Sequence, residues 1–214
     1  MPEKYDAIVI GSGHNGLTCA CYLAKAGLKV LILEQSLTIG GMTNTEEVTL
    51  PGFKSDTHAF CVQFANFSPA LHELQLDRYD FEMIQPEPCL THAFPDGRSI
   101  FVHRDLEQTC QSIAQYSRRD GETWRKLYKG FLEQLSMIDS SFNSPPATFA
   151  EQAAILQKLP DGLAQYRFQM QSLRSWCDEM FEAEETKVLL GTWAVHAGVS
   201  PDDAGGGNVP GSFP

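Results

Sequence analysis

Positive charge is scarce in this sequence. Its 16 Lys and Arg residues face 27 Asp and Glu residues, which gives a formal net charge of −11 at pH 7. A protein that binds nucleic acid has to neutralise a run of phosphates with clustered cations. We therefore expect no nucleic-acid partner, and this balance offers no electrostatic attraction toward an anionic membrane surface.

Long apolar runs and room for a leader segment are also lacking. No stretch approaches the about 18 apolar residues that a membrane-spanning helix needs, and the first strand pattern already begins at Tyr5. A signal or transit peptide would need more chain before that strand. We therefore expect a cytoplasmic protein.

The cysteine and histidine residues lack the spacings of metal and redox sites. The six cysteines form no C-x-x-C pair, and the six histidines form no H-E-x-x-H motif. Cys19 and Cys21 lie two positions apart in a helical pattern, so they point to different sides of the helix. We expect no metal site, and we expect thiols that serve mainly as small apolar side chains in a reducing compartment.

The N-terminal stretch does contain a glycine-rich loop between a strand pattern and a helix pattern. Tyr5–Ile10 and Lys29–Leu33 are apolar runs with β-branched members, which suit two buried parallel strands. Leu17–Ala26 lies between them and predicts a small-residue helix, with Gly27 placed to end it. Residues 11–16 join the first strand to this helix with the pattern G-x-G-x-x-G.

Each glycine of this loop has a separate role in a dinucleotide site. Gly11 allows the tight turn, Gly13 lets the backbone approach a pyrophosphate, and Gly16 lets the helix pack against the strand. The helix N-terminus offers N–H groups and the positive end of its dipole to the phosphates. Glu34 ends the second strand, where a carboxylate accepts ribose hydroxyls and repels a 2′-phosphate. This context favours a dinucleotide site without a 2′-phosphate over an ordinary turn.

The next residues favour FAD over NAD. The second strand is followed by an acid and an amide, then by a glycine doublet with two further residues: Glu34, Gln35, Gly40, Gly41, Met42 and Thr43. This order resembles the second fingerprint of flavoproteins built on the glutathione-reductase type of Rossmann domain. An Arg between the acid and the doublet, common in that family, is lacking here. So is the cysteine pair of its dithiol reductases. The alternatives are a flexible loop at the doublet and a NAD-binding module.

The pattern changes after residue 75. Leu90–Phe94 and Arg98–His103 flank a Pro-Asp-Gly turn, which predicts an antiparallel hairpin, and Phe81–Ile84 also favours a strand. Helical spacing then dominates, with one continuous pattern over residues 163–181 and a last helix over residues 184–197. Capping residues predict where three earlier helices begin: Asp105, Asp120 and Thr148.

We expect two domains, a dinucleotide-binding part over residues 1–75 and a substrate or cap part over residues 76–214. The first has only two strand patterns, whereas a doubly wound domain normally has four or more. Either this chain is the first part of a longer flavoprotein, or it completes its sheet with another chain. The glycine-rich end of the sequence favours the first alternative.

Residues 10–17 together with the doublet closely resemble the phytoene desaturase-like flavoproteins, in particular the carotenoid ketolase-like branch. Residues 106–114, 142–146 and 193–207 also resemble that branch. The resemblance covers nearly the whole chain but only the first part of the family's length. It implies an α/β fold: a Rossmann-like FAD/NAD(P)-binding domain of glutathione-reductase type with an incomplete sheet, and a mainly helical second part with a small antiparallel β element.

The resemblance also implies a function. It implies an FAD-dependent oxidoreductase that takes hydride from an apolar, carotenoid- or isoprenoid-like substrate, with peripheral membrane contact left open because such substrates reside in lipid. It identifies no catalytic side chain. The candidate cofactor-binding residues are Gly11, Ser12, Gly13, Asn15, Gly16, Glu34, Gln35, Gly40, Gly41, Met42 and Thr43. The alternative is a truncated, non-catalytic relative that binds nucleotide weakly or acts through protein contacts, including self-association.

Overall fold

A computed structural model describes residues 3–59, 62, 65, 67–159, 161–196 and 198–205. It divides into two compact units, Met1–Met83 and Ile84–Pro214. The boundary expected after residue 75 therefore lies inside the first unit. The chain continues past residue 75 within this unit, where the N–H of Phe81 donates to the carbonyl of Leu76 at 3.3 Å. The assignment of cofactor and substrate roles to the two parts stays a prediction.

The first unit begins with the expected strand, helix and strand. Strand β1 is Ala7–Ile10, helix α1 is His14–Lys25, and strand β2 is Val30–Leu33. The two strands pair in parallel, from Ala7 opposite Val30 to Ile10 opposite Leu33. Helix α1 begins three residues earlier than predicted, because Gly13 serves as its N-cap. It ends as predicted at Gly27, whose positive φ of 87° turns the chain away from the helix.

The parallel sheet is incomplete, as expected. Among the described residues, β1 and β2 form a sheet of two strands. Other elements of the unit include a short antiparallel pair, β3 (Thr45–Glu46) with β4 (Ser55–Asp56), a short helix α2 (Ala70–Glu73), and 3-10 turns at Gly41–Thr43 and Leu76–Tyr79.

Helix α1 covers one face of this sheet. Val9 lies on that face, as the 3.5 Å between its Cγ1 atom and a Cβ built at Gly16 shows. Ile8 and Ile10 alternate with Val9 and are 59% and 87% exposed. Parallel strands are normally covered on both faces, so the exposed face marks the unfinished side of the sheet.

The second unit begins with the predicted hairpin. Strands β5 (Leu90–Ala93) and β6 (Ser99–Val102) pair antiparallel, from Leu90 opposite Val102 to Ala93 opposite Ser99. The prediction of a strand at Phe81–Ile84 is wrong. That segment is irregular, because an apolar run becomes a strand only where a neighbouring strand accepts its hydrogen bonds.

Helices make up the rest of the second unit, and none of the described helices is long and apolar enough to cross a bilayer. They are α3 (Leu106–Ala114), α4 (Arg118–Phe142), α5 (Phe149–Lys158), α6 (Gly162–Met170), α7 (Leu173–Met180) and α8 (Glu184–His196). The predicted caps at Asp105 and Thr148 are confirmed. Ala197, the predicted end of the last helix, lies outside the described residues.

Two predictions about these helices are wrong. Asp120 does not cap α4. Ser117 does, and its hydroxyl accepts a hydrogen bond from the N–H of Asp120. The continuous helix predicted over residues 163–181 is divided into α6 and α7. The division occurs because the Ser172 hydroxyl accepts from the N–H of Ser175 and begins a new helix.

One apolar core holds the second unit together. Its buried side chains come from the hairpin and from α3, α4, α7 and α8: Ile100, Val102, Cys110, Ile113, Trp124, Leu173, Trp176, Cys177, Phe181, Leu189, Leu190 and Ala194. Asp120 is also fully buried. Its two carboxylate oxygens accept hydrogen bonds of 2.9 Å from the backbone N–H groups of Glu182 and Ala183. It thereby fixes the start of α4 to the segment before α8.

Candidate nucleotide-binding site

The glycine-rich loop turns sharply from β1 into α1. Gly11 has a φ of 96°, and its N–H donates to the carbonyl of Leu33 at 2.7 Å, at the end of β2. The carbonyl of Gly13 accepts the first helical hydrogen bond, from the N–H of Leu17. The N–H groups that precede Leu17 in the first turn have no partner within the helix. They are available, together with the helix dipole, to an anion at this edge of the sheet.

Gly16 is the point of closest approach between helix and loop. A Cβ atom at this position would lie 2.3 Å from the carbonyl oxygen of Gly11. No side chain fits there without movement of the loop backbone. The predicted role of Gly16 in close helix packing therefore agrees with the geometry.

The glycine doublet lies directly beside this loop. The N–H of Gly40 donates to the carbonyl of Ser12 at 2.9 Å, and Gly40 forms a backbone bridge with Gly13. Gly40 and Gly41 have φ values of 113° and 58°, and a Cβ at Gly41 would lie 3.0 Å from the Cα of Gly13. Two glycine-rich backbones thus meet, and this juxtaposition is the feature that a bound diphosphate requires.

Glu34 lies at the same edge of the sheet and is held by hydrogen bonds. Its Oε2 atom accepts from the N–H of Ser12 at 2.7 Å and from the Ser12 hydroxyl at 2.8 Å. Its Oε1 atom accepts from the N–H of Ser36 at 2.8 Å. These donors, with the Ser36 N–H as the largest contribution, lower the pKa of Glu34 to about 2. The carboxylate is therefore ionised across the neutral range.

The remaining predicted residues lie around this arrangement. The Thr43 hydroxyl donates to the carbonyl of Gly40 at 2.8 Å and so holds the turn of the doublet. Asn15, Gln35 and Met42 have exposed side chains. A direct contact of each with a cofactor stays a prediction.

Sequence patterns did not reveal the connection between Ser12 and Glu34. Ser12 was expected to face the cofactor, yet its side chain bonds to a residue 22 positions away. Ser36 was not predicted at all, and its contribution comes from a backbone N–H. One feature of the sequence could have indicated this contact: Ser12 and Glu34 each lie just beyond the carboxyl end of a strand, and the two strands pair in parallel.

The arrangement fits a dinucleotide. Two backbones without side chains meet where a diphosphate would pass, the helix N-terminus supplies N–H donors, and a fixed carboxylate stands where an adenosine ribose would be recognised. Neither the loop over residues 11–16 nor the doublet contains a Lys or Arg. Backbone groups and the helix dipole would therefore carry the contacts to the phosphates.

Comparisons with known proteins agree with this geometry. A family model for an NAD(P)-binding Rossmann-like domain matches residues 9–74. A component of the limonene dehydrogenase of Castellaniella defragrans is 36% identical over 149 residues, which is 70% of this chain and 26% of that protein. Carotenoid 3,4-desaturase of Haloarcula japonica is 31% identical over 125 residues, or 56% of this chain and 24% of that protein. The matched residues thus span about a quarter of the length of each of these relatives.

A solved structure is similar over nearly the whole chain. Wild-type putrescine oxidase bound to putrescine matches with a TM-score of 0.51 and 17% identity, over 96% of this chain and 40% of that one. At this identity the similarity concerns the fold alone. The two glycine fingerprints and the curated relatives place the chain in the phytoene desaturase-like family of oxidoreductases.

Proposed function

We propose that this chain binds FAD and forms the cofactor-binding part of an oxidoreductase that acts on an apolar, isoprenoid-like substrate. One observation carries the cofactor assignment. The doublet Gly40-Gly41 packs against Gly13, with a built Cβ at Gly41 only 3.0 Å from the Gly13 Cα. This geometry supports a ligand whose diphosphate passes beside both backbones, as the flavoprotein fingerprint implies.

The described residues would divide the binding of FAD among them. The first turn of α1 would bind the diphosphate through N–H groups, and Glu34 would accept a hydroxyl of the adenosine ribose. The chemistry that FAD supplies when bound is acceptance of a hydride from carbon, which with loss of a proton from the neighbouring carbon leaves a C=C bond. No side chain of this chain is assigned to the proton transfer.

The relatives support the proposed substrate class. Limonene and carotenoids, named in two of them, are apolar isoprenoids that lack a charged group for recognition. Such substrates are oriented by apolar walls rather than by ion pairs. The substrate, unlike the cofactor, is supported only by this similarity.

Gly13→Ala gives a sharp test of the cofactor site. A Cβ at Gly13 would have no atom within 4 Å, and Gly13 has a φ of −67°, which any residue adopts. The substitution therefore leaves the folded chain undisturbed but places a methyl group where the diphosphate would approach. We expect FAD affinity to fall about tenfold or more, which corresponds to about 1.4 kcal/mol or more.

The matched control is Gly130→Ala, which also adds a methyl group in open space but lies in α4 of the second unit. It should bind FAD as the unmodified chain does. Fluorescence titration with FAD measures all three proteins. Equal FAD affinity in the Gly13 variant, or no FAD binding by the unmodified chain, would contradict the proposed site.

Catalysis needs a separate experiment. Limonene or a carotenoid, added without oxygen to the FAD-loaded chain, should bleach the flavin absorbance near ~450 nm.

The exposed sheet face with Ile8 and Ile10 favours a second candidate, a non-catalytic protein that self-associates. FAD binding without bleaching, combined with concentration-dependent oligomers, would support that candidate.

A further inference from the structure

We propose that Ser12 is a positioning residue that holds the Glu34 carboxylate in the orientation that recognises an unphosphorylated adenosine ribose. The inference rests on the proposed function, because it concerns the same nucleotide site. It assigns to the second residue of the glycine loop a role in ligand selection, beyond its position in the loop.

The contacts of Ser12 carry the inference. Its N–H and its hydroxyl both donate to the Oε2 atom of Glu34, at 2.7 and 2.8 Å. Ser12 is 1% exposed, so its hydroxyl is enclosed by protein. In this arrangement the hydroxyl proton is used by Glu34, and Ser12 acts through that residue.

A second donor binds the other oxygen of the Glu34 carboxylate, and we call the set of contacts from Ser12 and Ser36 to this carboxylate the clamp. The Ser36 N–H binds the Oε1 atom of Glu34 at 2.8 Å, on the opposite oxygen from Ser12. A carboxylate bound at both oxygens keeps one rotamer in the free protein. The ligand then does not have to order this side chain when it binds, which removes a cost in binding free energy. Ser12 is the one of these two partners whose side chain takes part, so its hydroxyl is the donor that mutation can remove.

Charge gives the clamp its selectivity. Hydrogen bonds to the ionised form keep Glu34 negatively charged. A fixed negative charge beside the ribose attracts a hydroxyl donor and repels a 2′-phosphate. When the Ser12 hydroxyl is lost, Glu34 is less strongly held in its ionised form and in its rotamer, so both affinity and discrimination should decrease.

Ser12→Ala and Ser12→Thr test this role with three ligands. We expect Ser12→Ala to weaken binding of FAD and ADP about tenfold, because a hydrogen bond to a charged group is removed. FMN lacks the adenosine ribose, so its affinity should not change. Ser12→Thr keeps the hydroxyl and should restore FAD binding, and an exposed serine of α4 provides the control Ser140→Ala.

Two further measurements distinguish positioning of Glu34 from a merely structural role of Ser12: the pH dependence of FAD affinity, and the preference for a ribose without a 2′-phosphate. The FAD affinity of the Ser12→Ala variant should begin to fall at higher pH than that of the unmodified chain, because Glu34 takes up its proton more readily. The variant should also lose part of its preference for ADP over adenosine 2′,5′-bisphosphate. Calorimetric titration measures each affinity.

The outcomes separate this inference from the proposed function. If the unmodified chain binds no FAD, the proposed function fails. If it binds FAD and Ser12→Ala has the same affinity and pH profile, the positioning role is overturned. Equal weakening of FMN and FAD would also overturn it, because the substitution would then have damaged the loop as a whole.

Discussion

The two compact units of this chain bury different kinds of side chain. Among the described residues of the first unit, those that are buried are small: Ser12, Ala20 and Ala70. The second unit buries a contiguous core that includes Ile113, Trp124 and Leu190. The first is ordered by glycine contacts and hydrogen bonds at its candidate site, and the second by removal of apolar surface from water. Binding and stability should therefore respond to different mutations.

Tryptophan fluorescence can follow the second unit separately. All three tryptophans of the sequence lie beyond residue 84. Unfolding measured by tryptophan emission therefore reports on the second unit, whereas titration with FAD reports on the site of the first. This pair of measurements tests whether mutations in one unit leave the property measured on the other unchanged.

Gly16→Ala should have the largest effect, and it should affect binding alone. The added Cβ would lie 2.3 Å from the carbonyl oxygen of Gly11, so the loop has to move. We expect FAD affinity to decrease about 100-fold or more, with unchanged unfolding by tryptophan fluorescence. A variant that still binds FAD tightly would show that helix and loop do not have to be in close contact.

Asp120→Ala should have the opposite profile. It leaves the buried N–H groups of Glu182 and Ala183 without their acceptor. We expect the free energy of unfolding of the second unit to decrease by about 3 kcal/mol, measured by urea unfolding with tryptophan emission. Asp120→Asn keeps one acceptor oxygen and should lose less. If the free energy of FAD binding decreased by as much as the free energy of unfolding, binding in the first unit would depend on the stability of the second, and the two properties would not be separable.

Glu34→Gln should weaken FAD binding about tenfold without changing the unfolding of the second unit. The pKa of Glu34 is lowered to about 2 in the folded chain, against about 4.3 in a free peptide. Its contribution to the stability of the first unit is thus complete above about pH 4.3 and is lost as the pH falls toward 2. Because FAD binds the folded site, the FAD affinity of the unmodified chain should decrease over the same pH range. Titrations with FAD at decreasing pH should show no such decrease in the Gln variant. An unchanged pH profile would contradict the role of Glu34.

Thr186→Val should give the smallest effect, a gain in stability. Within the described residues, the Thr186 hydroxyl is buried and has no hydrogen-bond partner. Replacing it with a methyl group of similar size should raise the free energy of unfolding of the second unit by about 1 kcal/mol. Urea unfolding measures this change, and a loss of stability would show that the hydroxyl is satisfied in solution.

Local patterns predicted the elements of the fold well but not the bonds between distant segments. The parallel pair, the hairpin and the caps at Asp105 and Thr148 depend on neighbouring residues, and they are confirmed. Asp120 resembles a helix cap in sequence, yet its partners lie 62 and 63 residues away. The sequence contains no local signal for such a partner.

The candidate site shows the same limit. The glycines and Glu34 follow from a spacing that chemistry requires, so the sequence predicted them together. The clamp that Ser12 and Ser36 form on Glu34 depends on how two strand ends meet in space. The strand predicted at Phe81–Ile84 failed for a related reason, since a strand needs a partner that its own residues do not specify.

Retention of FAD by the purified chain tests the central claim most directly. The chain would be incubated with FAD, passed through a desalting column and examined by visible absorption. We expect flavin bands near ~370 and ~450 nm, at about one FAD per chain, and a lower FAD content in the Gly13→Ala variant. A colourless protein after desalting, together with no FAD binding at equilibrium, would contradict it.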